Sequence, residues 1–274
     1  MIGRVDLHLH SAASDGQFTP SELVTMALER HLLAIAITDH DTTAGIDEAL
    51  DAARGTELEV IPGVEISCDV PRQELHVLGY YIDHHDSALE KKLRTFRRAR
   101  LQRAKAILAK LAAIGFPLEW EIVAELAGGD SVGRPHIAQA MAKMGYVAST
   151  DEAFDLYIGR NGPAYVERYK LSPLEAVSLI KEAQGLPVLA HPLEVMQFVP
   201  SLVEGGLVGL EVYYDGYSPE DIQKLANLAR KYDLIPTGGS DFHGSDVLDT
   251  VEMGGVEVPT ESLKRLRALA KVKL

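Results

Sequence analysis

The sequence predicts an α/β protein built on a parallel sheet or barrel and carrying an inserted, nearly all-helical segment. Strand-like apolar runs alternate with helical patterns in the first third and again in the last, which is the pattern of a parallel sheet. Between them, from Asp86 to about Tyr169, helical periodicity takes over. A third observation is that residues able to ligate a metal recur at the ends of the expected strands. We therefore expect a barrel domain from residues 1–85 and 170–274, and a helical domain from 86–169.

Taken in order, Val5-Asp6-Leu7-His8-Leu9-His10-Ser11 alternates as a half-buried strand. Period-2 geometry puts His8 and His10 on one face and Leu7 and Leu9 on the other. Thr19-Pro20-Ser21-Glu22 starts a helix, with Thr19 as cap and Pro20 in the first position, running to about His31. Leu33 to Ile37 reads as a strand buried on both faces, ending in Thr38-Asp39-His40-Asp41. A helix over about Ala44 to Arg54 leads to a strand near Leu58 to Ile61 that closes on Pro62-Gly63-Val64-Glu65. Leu75 to Ile82 is a fourth strand and contains His76.

In the helical segment, Leu89 to Leu111 has an apolar side and many arginines and lysines, which read first as a solvated face. No aromatic interleaving or RNA-binding motif turns that helix into an extended nucleic-acid surface. Shorter helices follow near Glu119 to Leu126, Pro135 to Lys143 and Asp151 to Ile158. Beyond it, Pro173 to Gln184 is a helix, Leu186 to Ala190 a strand ending in His191-Pro192, and Gly206 to Tyr213 another strand. Ser218 to Tyr232 is helical. Leu234 to Gly239 is a strand ending in Ser240-Asp241-Phe242-His243. Val251 to Val258 reads as a late strand and Glu261 to Val272 as a closing helix.

Composition narrows the function. The 274 residues are 46% hydrophobic, enough for a full core. The single cysteine, Cys68, excludes an intrachain disulfide and a thiolate cluster. No leader-like or membrane-length apolar run is present, so a cytoplasmic protein without membrane contact is expected. A net charge of -13 opposes attraction to nucleic acid, so an anionic substrate must be held by local positive charge, which bound metals would supply.

His8, His10, His40, Glu65, His191, Asp241 and His243 fall at or just past strand ends, and His76 lies within a strand. In a parallel barrel those ends share one face. Each has a plainer reading: Thr38 to Asp41 as a helix cap, Glu65 as a surface carboxylate, His76 as a core histidine, Asp241 as an orienting partner of His243. Together, nitrogen and carboxylate donors without sulfur suit Zn²⁺, Mn²⁺ or Fe²⁺. They are too many for one ion, so two or three are expected, with Glu65 placed to bridge. Such a centre lowers the pKa of a bridging water and neutralises charge on a phosphoryl group or carbonyl, which makes hydrolysis the natural chemistry.

The ordered motifs D-L-H-L-H-S, T-D-H-D, P-G-V-E-I, H-V-L-G-Y, A-H-P and S-D-F-H resemble the PHP (polymerase and histidinol phosphatase) family, relatives of the amidohydrolases. The resemblance implies a distorted (β/α)7 barrel with a multinuclear Mn, Fe or Zn centre that hydrolyses phosphate esters. It implies one ion on His8, His10, Glu65 and Asp241, a second on Glu65, His76 and His191, and a third on Asp15, His40 and His243. The water bridged at Glu65 would be the nucleophile, with Asp15, His40, His191 and His243 as assistants in proton transfer. The element Ser131-Val132-Gly133-Arg134-Pro135-His136-Ile137-Ala138 is similar to that of a subgroup acting on 3′,5′-nucleotide bisphosphates or, 5′ to 3′, on short RNAs. By that likeness Arg134 and His136 bind substrate phosphate beneath a helical cap. An arginine and a histidine at a helix start also form an anion site on physical grounds, although without the metal centre a helix capped by Ser131 with a solvated Arg134 is the favoured reading. Arg160, in the Gly-rich loop 159–166, is a further phosphate candidate. The expected substrate is a small phosphorylated nucleotide or short oligonucleotide, with histidinol phosphate a more distant choice. A metal-stabilised, non-catalytic nucleotide-binding module is the reading from another class.

Overall fold

The computed structural model describes residues 4–70, 73–128, 131–167, 171–244 and 251–273. Seven strands form one sheet in sequence order: β1 (Arg4–Leu9), β2 (Leu32–Ile37), β3 (Glu59–Val70), β4 (Gln73–Tyr80), β5 (Leu186–Leu189), β6 (Gly209–Tyr214) and β7 (Ile235–Gly239). The sheet curls into a nearly closed barrel. A parallel bridge between Leu9 and Phe242 meets its far edge, and the His10 N–H donates to the Phe242 carbonyl at 3.0 Å.

The strands are not all parallel. β3 pairs antiparallel with β4, and β4 antiparallel with β5, whereas the other neighbours run parallel. This explains why His76 sits inside its strand: β4 runs backwards, so its middle reaches the rim. β3 also does not stop at Pro62-Gly63. Its parallel pairing with β2 ends at Ile37–Pro62, and antiparallel pairing with β4 starts at Gly63–Tyr80 and runs to Val70–Gln73. Glu65 is therefore held mid-strand.

The barrel has an inner and an outer core. Leu7, Ala34, Ala36, Ile61, Leu78, Tyr80 and Val188 cluster with Leu263 and Leu266 of α10 (Thr260–Lys273), which closes one end. The outer cluster joins Leu9, Ile35 and Ile37 to α1 (Pro20–Glu29), α2 (Ile46–Ala52), α7 (Pro173–Glu182), α8 (Val199–Gly205) and α9 (Pro219–Lys231). Leu7 thus faces inward and Leu9 outward, against the simple alternation expected of β1. The cause is an irregularity between Asp6 and Leu9, where three steps of β1 match two of β2, so Leu7 and His8 both reach the interior. Helix starts follow the sequence: Thr19 and Glu22 form a capping box on α1, as do Ser172 with Glu175 on α7. Val251 to Val258 is not a strand; it turns at Gly254, where φ is +71°.

Helices α3 (Ser87–Ala113), α4 (Trp120–Ala127), α5 (Arg134–Lys143) and α6 (Thr150–Ala153), the last continued by a π turn over Phe154–Ile158, pack a cluster of their own around Ile107, Leu111, Val123, Ile137 and Met141. The first turns of α3 still belong to the barrel, since Leu89, Leu93 and Phe96 join the outer core. The expected boundary at 169/170 lies outside the described residues. Arg100 and Arg103 are buried, not solvated, because α3 crosses the rim and turns that face towards Asp41 and Val166.

The seam between β7 and β1 tolerates no side chain at Gly239, where an added Cβ would come within 2.5 Å of the His8 backbone nitrogen. We expect Gly239→Ala to destabilise the fold by about 1–3 kcal/mol, the usual penalty of overpacking. Urea unfolding measures this, and an unchanged midpoint would contradict the close approach.

Candidate metal centre

Every strand but β6 brings donors to a single basin, from within the strand or from the segment that follows it, and Glu65 stands at its centre. Glu65 Oε2 lies 3.6 Å from His8 Nε2, 3.2 Å from His10 Nε2 and 2.9 Å from His40 Nδ1. Its other oxygen lies 2.8 Å from His76 Nδ1 and 3.3 Å from His191 Nε2. Asp241 Oδ1 approaches His8 Nε2 at 3.2 Å and His10 Nε2 at 3.1 Å. Asp15 lies 3.5 Å from His10 Nδ1, 3.7 Å from His40 Nε2 and 3.5 Å from His243 Nε2. All nine residues expected as ligands therefore meet in one place.

Their grouping is tighter than the three expected sets. Donor atoms within reach of one cation occur as His8, His10, Glu65 and Asp241, as His10, Asp15, His40 and His243, and as His40, Glu65 and His76. His10 and His40 thus each stand between two groups, and His191 approaches through Glu65 alone. The basin is buried, yet His8 Nε2, both ring nitrogens of His10, Asp15 Oδ1, His40 Nδ1, His76 Nε2 and Asp241 Oδ1 lack a well-oriented hydrogen bond. Buried polar atoms are normally satisfied. Orphaned atoms converging from six residues fit divalent cations, and the all-nitrogen-and-oxygen donor set suits Zn²⁺, Mn²⁺ or Fe²⁺.

Charge points the same way. Burial alone would raise Glu65, Asp15 and Asp241, but the imidazoles around them hold all three well below the usual carboxylate range. Burial would lower His10, yet Asp241 and Glu65 bring it to about 10. His76, where burial prevails over Glu65, falls to about 4 and stays a neutral donor.

An outer layer fixes these groups, and the sequence reading passed over it. Glu211, fully buried on β6, accepts from His8 Nδ1 at 2.9 Å with one oxygen and from the His191 backbone N–H at 2.7 Å with the other. The first contact turns His8 Nε2 into the basin. Tyr214 donates its hydroxyl to Asp241 Oδ2 at 2.9 Å. Asp39 caps no helix: it accepts from the Ser11 N–H and hydroxyl and from the Ser14 hydroxyl, each at 2.7 Å. Asp6 accepts likewise from Ser240 and Gly254. A carboxylate among apolar residues in Leu210-Glu211-Val212 was the available signal. His191, Asp241 and Asp41 have φ of +26°, +56° and +53°, a conformation that costs on the order of 1–3 kcal/mol per residue. Such strain persists where surrounding contacts impose it, here at three residues of the basin rim.

A cleft opens from the basin between the barrel rim and the helices, lined by Asp15, His40, His76, Arg100, Arg134 and Phe154 among others. Arg134 lies over the Phe154 ring at 5.4 Å and donates to Glu74 at 2.5 Å. His136 is buried behind it, and its Nδ1 accepts the Gly133 N–H at 3.0 Å. Arg160 is turned elsewhere, donating to Asp69 at 3.2 Å and to the Gln73 carbonyl at 2.8 Å, and lies under Tyr165. Arg100, missed as a site residue, donates to Asp41 at 2.5 Å and to Ser67 at 2.7 Å.

Because His10 is held protonated to about pH 10, a cation must displace its proton before using that nitrogen. Mn²⁺ uptake at pH 7 is therefore expected to release protons and to weaken as pH falls. Calorimetry in buffers of different ionisation enthalpy measures the release; none would contradict ligation through His10.

Comparison with known proteins places this geometry. The PHP domain profile matches residues 6–113. The chain is 34% identical over 250 residues to a 5′-3′ exoribonuclease of Haemophilus influenzae, covering 89% of this chain and 91% of the relative. It is 32% identical over 270 residues to a 3′,5′-nucleoside bisphosphate phosphatase of Chromobacterium violaceum, covering 92% and 93%. A crystal structure described as a metal-dependent phosphoesterase, from Bifidobacterium adolescentis, superposes with a TM-score of 0.89 at 30% identity, covering 98% of this chain and 97% of that one. With its histidine and carboxylate basin at the rim of a seven-stranded barrel, the chain belongs to the PHP family of metal-dependent phosphoesterases.

Proposed function

We propose that this phosphoesterase hydrolyses the 3′-phosphate of a nucleoside 3′,5′-bisphosphate, with residues 86–169 as a cap over the substrate. The observation that carries this reading is one cleft joining the ligand basin to a wall of arginines. Asp15, His40 and His76 line its barrel side, and Arg100, Arg103 and Arg134 its helical side. A small substrate with two phosphates meets positive charge at both ends of such a cleft, in a protein whose net charge of -13 repels longer polyanions. The C. violaceum relative is named for that substrate class.

In this reading His8, His10, Glu65 and Asp241 would hold one ion, Glu65, His76 and His191 a second, and Asp15, His40 and His243 a third, each Mn, Fe or Zn. When bound, such ions supply Lewis acidity towards a phosphoryl oxygen and acidify water in the basin. The protein supplies position and protons. Arg134, braced by Glu74 and Phe154, presents a guanidinium fork to phosphate. Burial lowers the pKa of His136, and its Nδ1 is an acceptor, so the proton resides on Nε2 as a donor. His243 donates from Nδ1 to the Asp241 carbonyl, and with no third ion bound its Nε2, beside Asp15, would carry the proton that passes to the leaving oxygen. Arg160 fastens the loop 159–166 to the β3–β4 hairpin.

A second cleft favours the alternative, 5′-to-3′ removal of nucleotides from short RNA. Lined by Gln17, Gln139, Thr150 and His243, it meets the first at Asp15, Pro135 and Phe154 and offers room for a chain beyond the reacting phosphate. The H. influenzae relative carries that name. The two are separated by phosphate and nucleotide release with Mn²⁺ from adenosine 3′,5′-bisphosphate, a short 5′-phosphorylated RNA and histidinol phosphate. We expect the highest kcat/KM on the bisphosphate. A higher value on RNA establishes the alternative, turnover of histidinol phosphate alone overturns both, and nucleotide binding without turnover leaves a binding module.

His191→Ala is expected to lower kcat at least 100-fold with an unchanged circular dichroism spectrum; full activity would remove His191 from the centre. Arg134→Ala is expected to raise KM about tenfold or more, in line with about 1.5–3 kcal/mol for a charged hydrogen bond. An unchanged KM would remove that residue from substrate binding.

A further inference from the structure

A second group of metal-competent side chains lies outside the basin. Asp47 stands in the first turn of α2, on the outside of the barrel, and His84 and His85 form the turn between β4 and α3. One carboxylate oxygen, Asp47 Oδ1, lies 3.0 Å from His84 Nε2 and 3.4 Å from His85 Nε2. The two rings are 4.1 Å apart between centroids, and one donor atom from each of the three residues falls within the reach of a single cation.

The turn is built rather than accidental. The His85 N–H donates to Asp83 Oδ1 at 3.1 Å, the Thr43 hydroxyl to the His84 carbonyl at 3.4 Å, and Asp86 caps α3 through the Leu89 N–H at 2.6 Å. Both imidazoles are thereby presented on the same side, towards α2. Zinc bonds of about 2.0–2.1 Å imply a spacing of about 3.3 Å between neighbouring ligand atoms of a tetrahedron. The two spacings found here, 3.0 and 3.4 Å, bracket that value. Two adjacent imidazoles converging on one oxygen also exceed what a single hydrogen bond requires.

We propose that Asp47, His84 and His85 form a transition-metal site of the Zn²⁺ class, separate from the hydrolytic centre, with solvent completing the coordination. Two nitrogens and one carboxylate oxygen favour Zn²⁺, Ni²⁺ or Cu²⁺ over Mg²⁺ or Ca²⁺. Its place in the chain gives it a consequence. A cation held there ties α2, which packs on the barrel, to the turn from which α3 leaves for the helical segment.

The test is Zn²⁺ stoichiometry, measured by competition with a chromophoric chelator, on the full chain and on an Asp47→Ala/His85→Ala variant. Asp47 is 67% and His85 70% exposed, so the variant keeps its core, and the residues of the basin are intact in both proteins. We expect the full chain to bind one more Zn²⁺ than the variant, with equal Mn²⁺-supported phosphate release. Zn²⁺ should also raise the melting temperature of the full chain more than that of the variant. Equal stoichiometry overturns the site. Because both proteins carry the same basin, its failure to bind metal would lower both counts equally and leave the difference of one. If the double variant melts lower than the full chain in excess chelator, His85→Gln alone is compared, and the same loss of one equivalent is required.

Discussion

One buried carboxylate organises this molecule. Glu65 is 1% exposed and lies within ion-pair distance of imidazoles from β1, from the ends of β2 and β5, and from β4. A lone carboxylate in such a place would be strongly penalised, and a lone cluster of imidazoles equally so. Each makes the other tolerable, and the atoms that remain unsatisfied are arranged as cation ligands. The barrel brings together groups that no single segment of the chain could hold.

The antiparallel β4 is what makes that convergence complete. In a wholly parallel barrel only strand ends reach the rim. Reversing β4 lets β3 and β4 rise together as a long hairpin, so Glu65 and His76 stand above the rim and face back over the basin. The same extension brings Ser67 within reach of Arg100 and Glu74 within reach of Arg134, and these contacts tie the helical segment to the barrel. The cleft exists because the hairpin and the helices stand on the same side of the basin.

The supporting carboxylates divide the work. Glu211 and Asp39 are both fully buried, and neither points a free oxygen at the basin. Glu211 joins His8 to the strained backbone at His191, and Asp39 pins the Ser11–Ser14 turn that leads to Asp15. Asp41 does the same from the other side, where Arg97 and Arg100 of α3 grip its carbonyl and carboxylate. Helix α3 is therefore part of the scaffold of His40 as well as a wall of the cleft.

Periodicity and capping were enough to read most helices and strands, because apolar spacing and the Thr19 cap are local. The residues of the basin were legible too, since histidines and carboxylates repeatedly following apolar runs can converge only if those runs share a sheet. Strand direction was not legible, because an apolar run carries no sign of which way its neighbour points; β4 and the length of β3 depended on pairing. Nor were the displaced side chains of Leu7 and His8, the burial of Arg100, or the role of Glu211. Each arises from contacts between segments tens to hundreds of residues apart. The chain by itself determined which groups would be available for chemistry, and only the closed barrel decided which of them touch.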